Sequence, residues 1–215
     1  MVFADRSQAG KLLARHLACY QDRSPVVLGL PRGGVAVAAE VALALGAPLD
    51  VIVARKLGFP GNPELAIGAV TARGTRVLNE ALLRQVLLPP GFLGQETERQ
   101  RQDAEQRERL LRAAHPAISL QGRTAILVDD GIATGMTALA AIHDLWAQRP
   151  QAVVLATPVA PLRTVERLHP EVDAIVSLET PEDLSSIGQF YEDFSQLTDE
   201  SVTEMLTANR RVAQD

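Results

Sequence analysis

At 215 residues the chain is long enough to bury a full hydrophobic core without disulfides or metals, and its lone Cys19 excludes a disulfide framework. The composition is 47% hydrophobic but only 4% aromatic, which points to an aliphatic core and argues against stacking platforms for single-stranded nucleic acid. A formal net charge of -5 gives no long-range attraction to polyanions, so an anionic ligand needs a locally built site.

Helical spacing of apolar residues predicts a leading helix over Ser7 to Tyr20. Val26 to Leu30 is a short continuous apolar run, the pattern of a strand buried on both faces. After Pro31-Arg32-Gly33-Gly34 an alanine-rich helix runs from Val35 to Leu45 and closes on Gly46, and Leu49 to Ala54 is a second strand. The two strands and their helix form a βαβ unit, which implies parallel pairing. From Arg55 to Pro63 the Gly- and Pro-rich composition predicts a mobile loop. Glu64 to Val70 and Thr75 to Leu78 read as a hairpin turning at Arg73-Gly74. Asn79 to Val86 is helical, and Gly94 to Ala114 is a long charged helix expected as a solvated surface element.

Arg123 to Val128 is the next strand, followed by an acidic, glycine-rich loop and a helix from about Thr134 to Gln148. Ala152 to Ala156 and Ala174 to Leu178 repeat the strand pattern around a helix near Leu162 to Leu168. A terminal helix, Thr198 to Arg210, has Thr198 as its N-cap. The alternation predicts a doubly wound, mainly parallel α/β sheet. No run of about 18 apolar residues is present, so no membrane partner is expected and the protein reads as cytoplasmic.

In such sheets ligands sit beyond the carboxyl ends of the strands. The turn Asp129-Asp130-Gly131-Ile132-Ala133-Thr134-Gly135-Met136-Thr137 has the chemistry for this. Gly131 and Gly135 allow close backbone approach, Thr134 and Thr137 offer hydroxyls at a helix N-terminus that favours phosphate, and Asp129 and Asp130 can accept from a vicinal diol. Phosphate plus diol describes a ribose 5-phosphate. Pro31, Arg32, Gly33 and Gly34 form a second turn at a strand end, and Arg55 and Lys56 place two cations at a third.

Together these three turns resemble the type I phosphoribosyltransferases, whose motif is a hydrophobic run, two acids and a Gly/Thr loop. The resemblance spans roughly Val26 to Leu178 and implies one domain over 1–215, with a core of about 24–178, a hairpin and helical insertion of about 57–118 and a C-terminal hood of about 179–215. It further implies a magnesium-dependent enzyme that transfers ribose 5-phosphate from phosphoribosyl pyrophosphate (PRPP) to a nitrogenous base or small amine. Asp129 to Thr137 then bind the ribose phosphate, and Pro31 to Gly34 with Arg55 and Lys56 hold the pyrophosphate. Arg55, Lys56 and Asp130 become the catalytic candidates. The Mg²⁺ ligands are Asp129 and Asp130, directly or through water, with Asp193 as a further candidate, and a homodimer is implied. Two departures from the 6-oxopurine enzymes stand out: Ala133 replaces an acid in the loop, and Thr157 to Pro161 lacks their lysine.

Val159, Ile187, Phe190 and Tyr191 are the base-side candidates under the same resemblance, although the aromatic tail serves equally well as packing. His16, His115, His143 and His169 lack a companion nucleophile motif and read as non-catalytic. Two other functions compete. One is a non-catalytic PRPP or nucleotide sensor on the same fold, which would not need the cationic loop. The other is a phosphatase-like phosphosugar protein, for which the chain lacks a separate nucleophile. No basic helix for reading nucleic acid is evident.

Overall fold

The computed structural model describes residues 1–113 and 116–212, so His115 lies outside the described residues. Its first half runs α1 (Arg6–Leu17), β1 (Pro25–Gly29), α2 (Gly33–Leu45), β2 (Leu49–Val51), β3 (Ala54–Phe59), β4 (Asn62–Thr71), β5 (Arg76–Leu78) and α3 (Glu80–Leu83). The second half runs α4 (Phe92–Arg112), β6 (Thr124–Val128), α5 (Met136–Ala147), β7 (Ala152–Val159), α6 (Leu162–Leu168), β8 (Ala174–Glu179) and α7 (Asp199–Val212).

Five strands form one sheet in the order β2-β1-β6-β7-β8, with every pairing parallel. Each residue of β1, β2 and β6 is buried, because helices cover both faces and leave no polar side to these strands. On one face Leu13, Val41, Leu111 and Leu206 bring α1, α2, α4 and α7 onto Val27 and Ile126. On the other, Ile142, Leu145 and Leu168 bring α5 and α6 onto Leu28, Leu127 and Leu155. The helix closing on Gly46 ends as expected, with that glycine at φ 58° and its amide bonded back to Ala42 and Leu43. Among the described residues no helix is long and apolar enough to cross a membrane.

A second, antiparallel sheet has the order β3-β4-β5. Its β3 corrects the expectation of a mobile loop from Arg55 to Pro63. Arg55, Lys56 and Leu57 pair with Val70, Ala69 and Gly68, and Leu57 is buried against Ile67 and Val70. The Gly and Pro content belongs to the tight Pro60-Gly61 turn, where Gly61 takes φ 78°. The sheet lies against α5, with Ala66, Ala69 and Val77 meeting Met136 and Ala140.

The charged helix α4 is also less solvated than its composition suggests, since Gln100, Ala104, Glu108 and Leu111 are buried. Its last turn is fixed to the end of β2. Arg112 donates to the buried Asp50 at 3.0 Å and to the Val51 carbonyl at 2.8 Å, while Glu108 accepts from the Val53 amide at 3.2 Å.

Candidate functional site

The strand β6 ends at Val128, and the chain there turns so that the Asp130 amide donates to Asp129 Oδ1 at 2.9 Å. The turn after β1 packs directly on it. The Leu30 amide bonds the Val128 carbonyl at 2.9 Å, and a Cβ on Gly33 would stand 1.7 Å from Asp130 Oδ2. A Cβ on Gly34 would stand 2.9 Å from the Asp129 Cα. Only glycine at these two positions lets the Pro31–Gly34 turn and the acidic pair share one place, so two of the three sequence turns meet at atomic contact. Arg32 is exposed beside them, with no ion-pair partner among the described residues.

Asp130 is held from both ends of the chain. Arg6 Nε donates to its Oδ2 at 2.7 Å, and the two side chains are only 12% and 15% exposed. The Arg6 guanidinium lies 3.9 Å from the Phe194 ring centroid and donates through Nη1 to the Ser195 carbonyl at 2.9 Å. Tyr191 donates its hydroxyl to the Asp130 carbonyl at 2.6 Å, and burial, then the nearby Asp130 charge, push that phenol up. Arg6 was missed by sequence reasoning. It lies 124 residues from Asp130 and stands in a helix N-terminus with no motif around it, so no local signal marks it. Asp129 is half-buried, and desolvation followed by the adjoining Asp130 charge drives its carboxyl well above the ordinary range. Asp129 therefore resists carrying its negative charge beside Asp130.

The loop from Gly131 to Gly135 has two faces. Two of its carbonyls turn toward α6: Ala133 accepts from Thr164 Oγ1 at 2.7 Å, and Thr134 accepts from Arg167. Its amides turn elsewhere, and among the described residues those of Ala133, Thr134 and Gly135 donate to no acceptor. Gly135, at φ 64°, is the N-cap of α5, so these amides and the half-buried Thr137 stand at a helix N-terminus, where an anion is favoured. Ile132 is buried and its amide bonds the Val159 carbonyl at 2.9 Å, which ties the loop to the end of β7. On Gly131 a Cβ would stand 2.3 Å from Ile187, so the tail closes over the start of the loop.

Of the other sequence candidates, Val159, Ile187 and Tyr191 touch the loop as described, while Arg55 and Lys56 lie apart from it. Arg55 Nε donates to Gln100 on α4 at 3.3 Å, and Lys56 Nζ pairs with Glu64 at 2.9 Å. Both line a cavity of about 410 Å³ between the β3–β4 hairpin and α4, and neither contacts the acidic pair. Phe190, Tyr191 and Phe194 pack with Phe3, Ala9 and Ile187; Tyr191 stacks on Phe194 at 5.0 Å. Asp193 caps its own turn by accepting from the Ser195 hydroxyl and from the Ser195 amide, the latter at 2.9 Å, bonds that hold its carboxyl below the usual range. His143 pairs with Glu171 at 2.9 Å, on the α5 side. No cluster of three His, Cys, Asp or Glu side chains suited to a metal occurs among the described residues.

Residues 6–193 match the family model described as the phosphoribosyl transferase domain. Two Mycobacterium tuberculosis strains carry a protein with the provisional name phosphoribosyl transferase, 44% identical over 210 residues and 98% of this chain. The chain spans about half, 47%, of the length of those relatives. The crystal structure of TT1426 from Thermus thermophilus superposes with a TM-score of 0.82 at 45% identity, covering 97% of this chain and 99% of that one. A Neisseria gonorrhoeae protein crystallised with ppGpp shares the fold at 13% identity and a TM-score of 0.50, over 98% and 96% of the two chains.

Proposed function

The chain belongs to the phosphoribosyl transferase domain family, and from that premise we propose that it binds PRPP with Mg²⁺ and transfers ribose 5-phosphate to a nitrogenous base or small amine, releasing pyrophosphate. The observation that carries this reading is the joint presence, at the end of β6, of unused amides at a helix N-terminus and of two adjacent carboxyl groups. Amides of Ala133, Thr134 and Gly135, with Thr137, take the sugar phosphate; Asp129 and Asp130 accept from the ribose hydroxyls. Gly33 and Gly34 bring the turn after β1 against the same acids, so backbone groups and Arg32 there reach the pyrophosphate.

Mg²⁺ fits this donor set in one way. Two carboxyls without a third protein ligand suit a hard cation that keeps water and takes substrate oxygens, and it would supply charge stabilisation for the departing pyrophosphate. The protein's own share is positioning: the acidic pair and the amide cradle fix the sugar at two points, and the tail over Gly131 excludes water from one side. Asp193, already turned into its own cap, is the weakest of the three metal candidates. By family resemblance alone, we assign to this reading a single domain over 1–215 and a homodimer.

Calorimetric titration of PRPP with Mg²⁺ tests the assignment. We expect a Kd in the micromolar range for the parent and a loss of about tenfold in Asp130→Asn, the scale of one charge-assisted hydrogen bond. Equal binding by the two proteins contradicts the role of Asp130.

One observation favours a second reading, a PRPP-binding regulator without chemistry. Arg55 and Lys56, the cations assigned to leaving-group charge, are engaged by Gln100 and Glu64 instead. A pyrophosphate-release screen over bases and amines separates the two: release with any acceptor establishes the transferase, and binding without release across the screen favours the regulator.

A further inference from the structure

The carbonyl face of the loop between β6 and α5 looks onto a second cavity of about 420 Å³, bounded by β4, the start of α5 and α6. We propose that this cavity is a separate anion site, for a small phosphate ester with a compact apolar body, and that its occupant acts on the sugar-phosphate site through Arg167.

The lining divides into two parts. Leu65, Ala66, Met136, Pro161 and Leu184 make an apolar wall, and Arg163 and Arg167 supply charge. The two arginines are four residues apart on α6 and therefore lie on one face of it. Among the described residues neither has a carboxylate partner, in a chain whose acids outnumber its Lys and Arg residues 26 to 21. Glu64, the acid that borders the cavity, is paired with Lys56 at 2.9 Å rather than with either arginine. Arg163, which has no hydrogen-bond or ion-pair partner among the described residues, and Arg167, held only by the Thr134 carbonyl, stand beside an apolar wall and match a phosphate group carrying a hydrophobic substituent.

The cavity is distinct from the amide cradle because a peptide unit directs its carbonyl and its N–H to opposite sides. The Ala133 and Thr134 carbonyls point at Thr164 and Arg167, so the amides of the same two peptide units, those of Thr134 and Gly135, face away from α6. The two sites share Ala133 and Thr134 as a common wall. An anion drawn to Arg167 competes with the Thr134 carbonyl for that guanidinium and so changes the set of the loop that holds the sugar phosphate. By thermodynamic reciprocity, ligand in either site then alters affinity for the other.

The test uses phenyl phosphate as the probe, titrated calorimetrically into the full chain with and without PRPP. Arg163 is the residue to change, since it is exposed and has no bond to the loop whose loss could disturb folding. We expect Arg163→Glu to weaken phenyl phosphate about tenfold and Arg163→Ala to weaken it less. Thr137→Val should weaken PRPP while leaving phenyl phosphate binding unchanged. Saturating phenyl phosphate should shift the PRPP Kd of the parent by about fivefold, a shift absent in Arg163→Glu. Parent-like phenyl phosphate binding by both Arg163 variants overturns the proposal, as does simple one-site competition between phenyl phosphate and PRPP. Arg163-dependent binding in a protein that ignores PRPP would instead leave this site standing and remove the reading of the first.

Discussion

Asp130 receives Arg6 on its carboxylate and Tyr191 on its carbonyl, while Gly33 leaves it the room to sit where it does. An ion pair this sheltered draws much of its worth from not being broken, because a stranded charge is costly. Arg6→Met keeps an unbranched stem against Phe194 yet removes the donor, and should destabilise the free protein by about 3 kcal/mol. The double variant Arg6→Met/Asp130→Asn should recover most of that loss, since a neutral amide needs no cation. Urea unfolding of the four proteins of this cycle measures the coupling, and additive losses would remove Arg6 from the site. The acids, glycines and threonines of the site were legible because they form a contiguous pattern of types with a shared chemical purpose. Arg6 was not, because it stands on α1 while its partner lies 124 residues away beyond the end of β6 and reaches it only after the sheet has formed.

At the scale of elements, what the sequence conveyed depended on what each segment packs against. Strands covered on both faces advertise themselves as unbroken apolar runs, and Leu162 to Leu168 was read with its observed ends. β3 concealed itself because its cations, Arg55 and Lys56, are satisfied by side chains of α4 and β4, which local composition cannot register. The contact between the small sheet and α5 carries a pH signature. Asp144 on α5 is buried, accepts from Thr75 Oγ1 at 3.1 Å, and burial raises its carboxyl above the ordinary value. A carboxyl whose folded value lies above its unfolded one favours folding while protonated. That contribution is complete below the unfolded value and is lost as pH rises through the raised folded value. Asp144→Asn, which stays neutral and can still accept from Thr75, should therefore gain in midpoint relative to the parent as pH rises across this window. Thermal melts of both proteins over an acid-to-neutral series check the sign, and a difference that stays constant with pH would show that ionisation of Asp144 costs the fold nothing.

Across the molecule, the candidate site joins parts of the chain that have no neighbourhood in sequence. Phe3 and Tyr191 form a parallel bridge, with the Phe3 amide on the Phe190 carbonyl at 2.8 Å and the Glu192 amide on the Phe3 carbonyl at 2.8 Å. The Asp193 amide adds a bond to the Ala4 carbonyl at 2.9 Å. Through Arg6 and Tyr191 this seam is fastened to Asp130, and Ile187 fastens it to Gly131. Ligand held by the acidic pair therefore has to stabilise the seam, because opening it would release the groups that set those acids. Amide hydrogen exchange should slow at Phe3, Glu192 and Asp193 when Mg²⁺ and PRPP are added. The amides of α3, which caps on Asn79 and packs on β4, should exchange as before. Tyr191→Phe, which loses the hydroxyl bond to Asp130, should uncouple the two and show less added protection at equal saturation. Unchanged exchange at all three seam amides in the saturated parent would mean that the tail packs on α1 independently of the site.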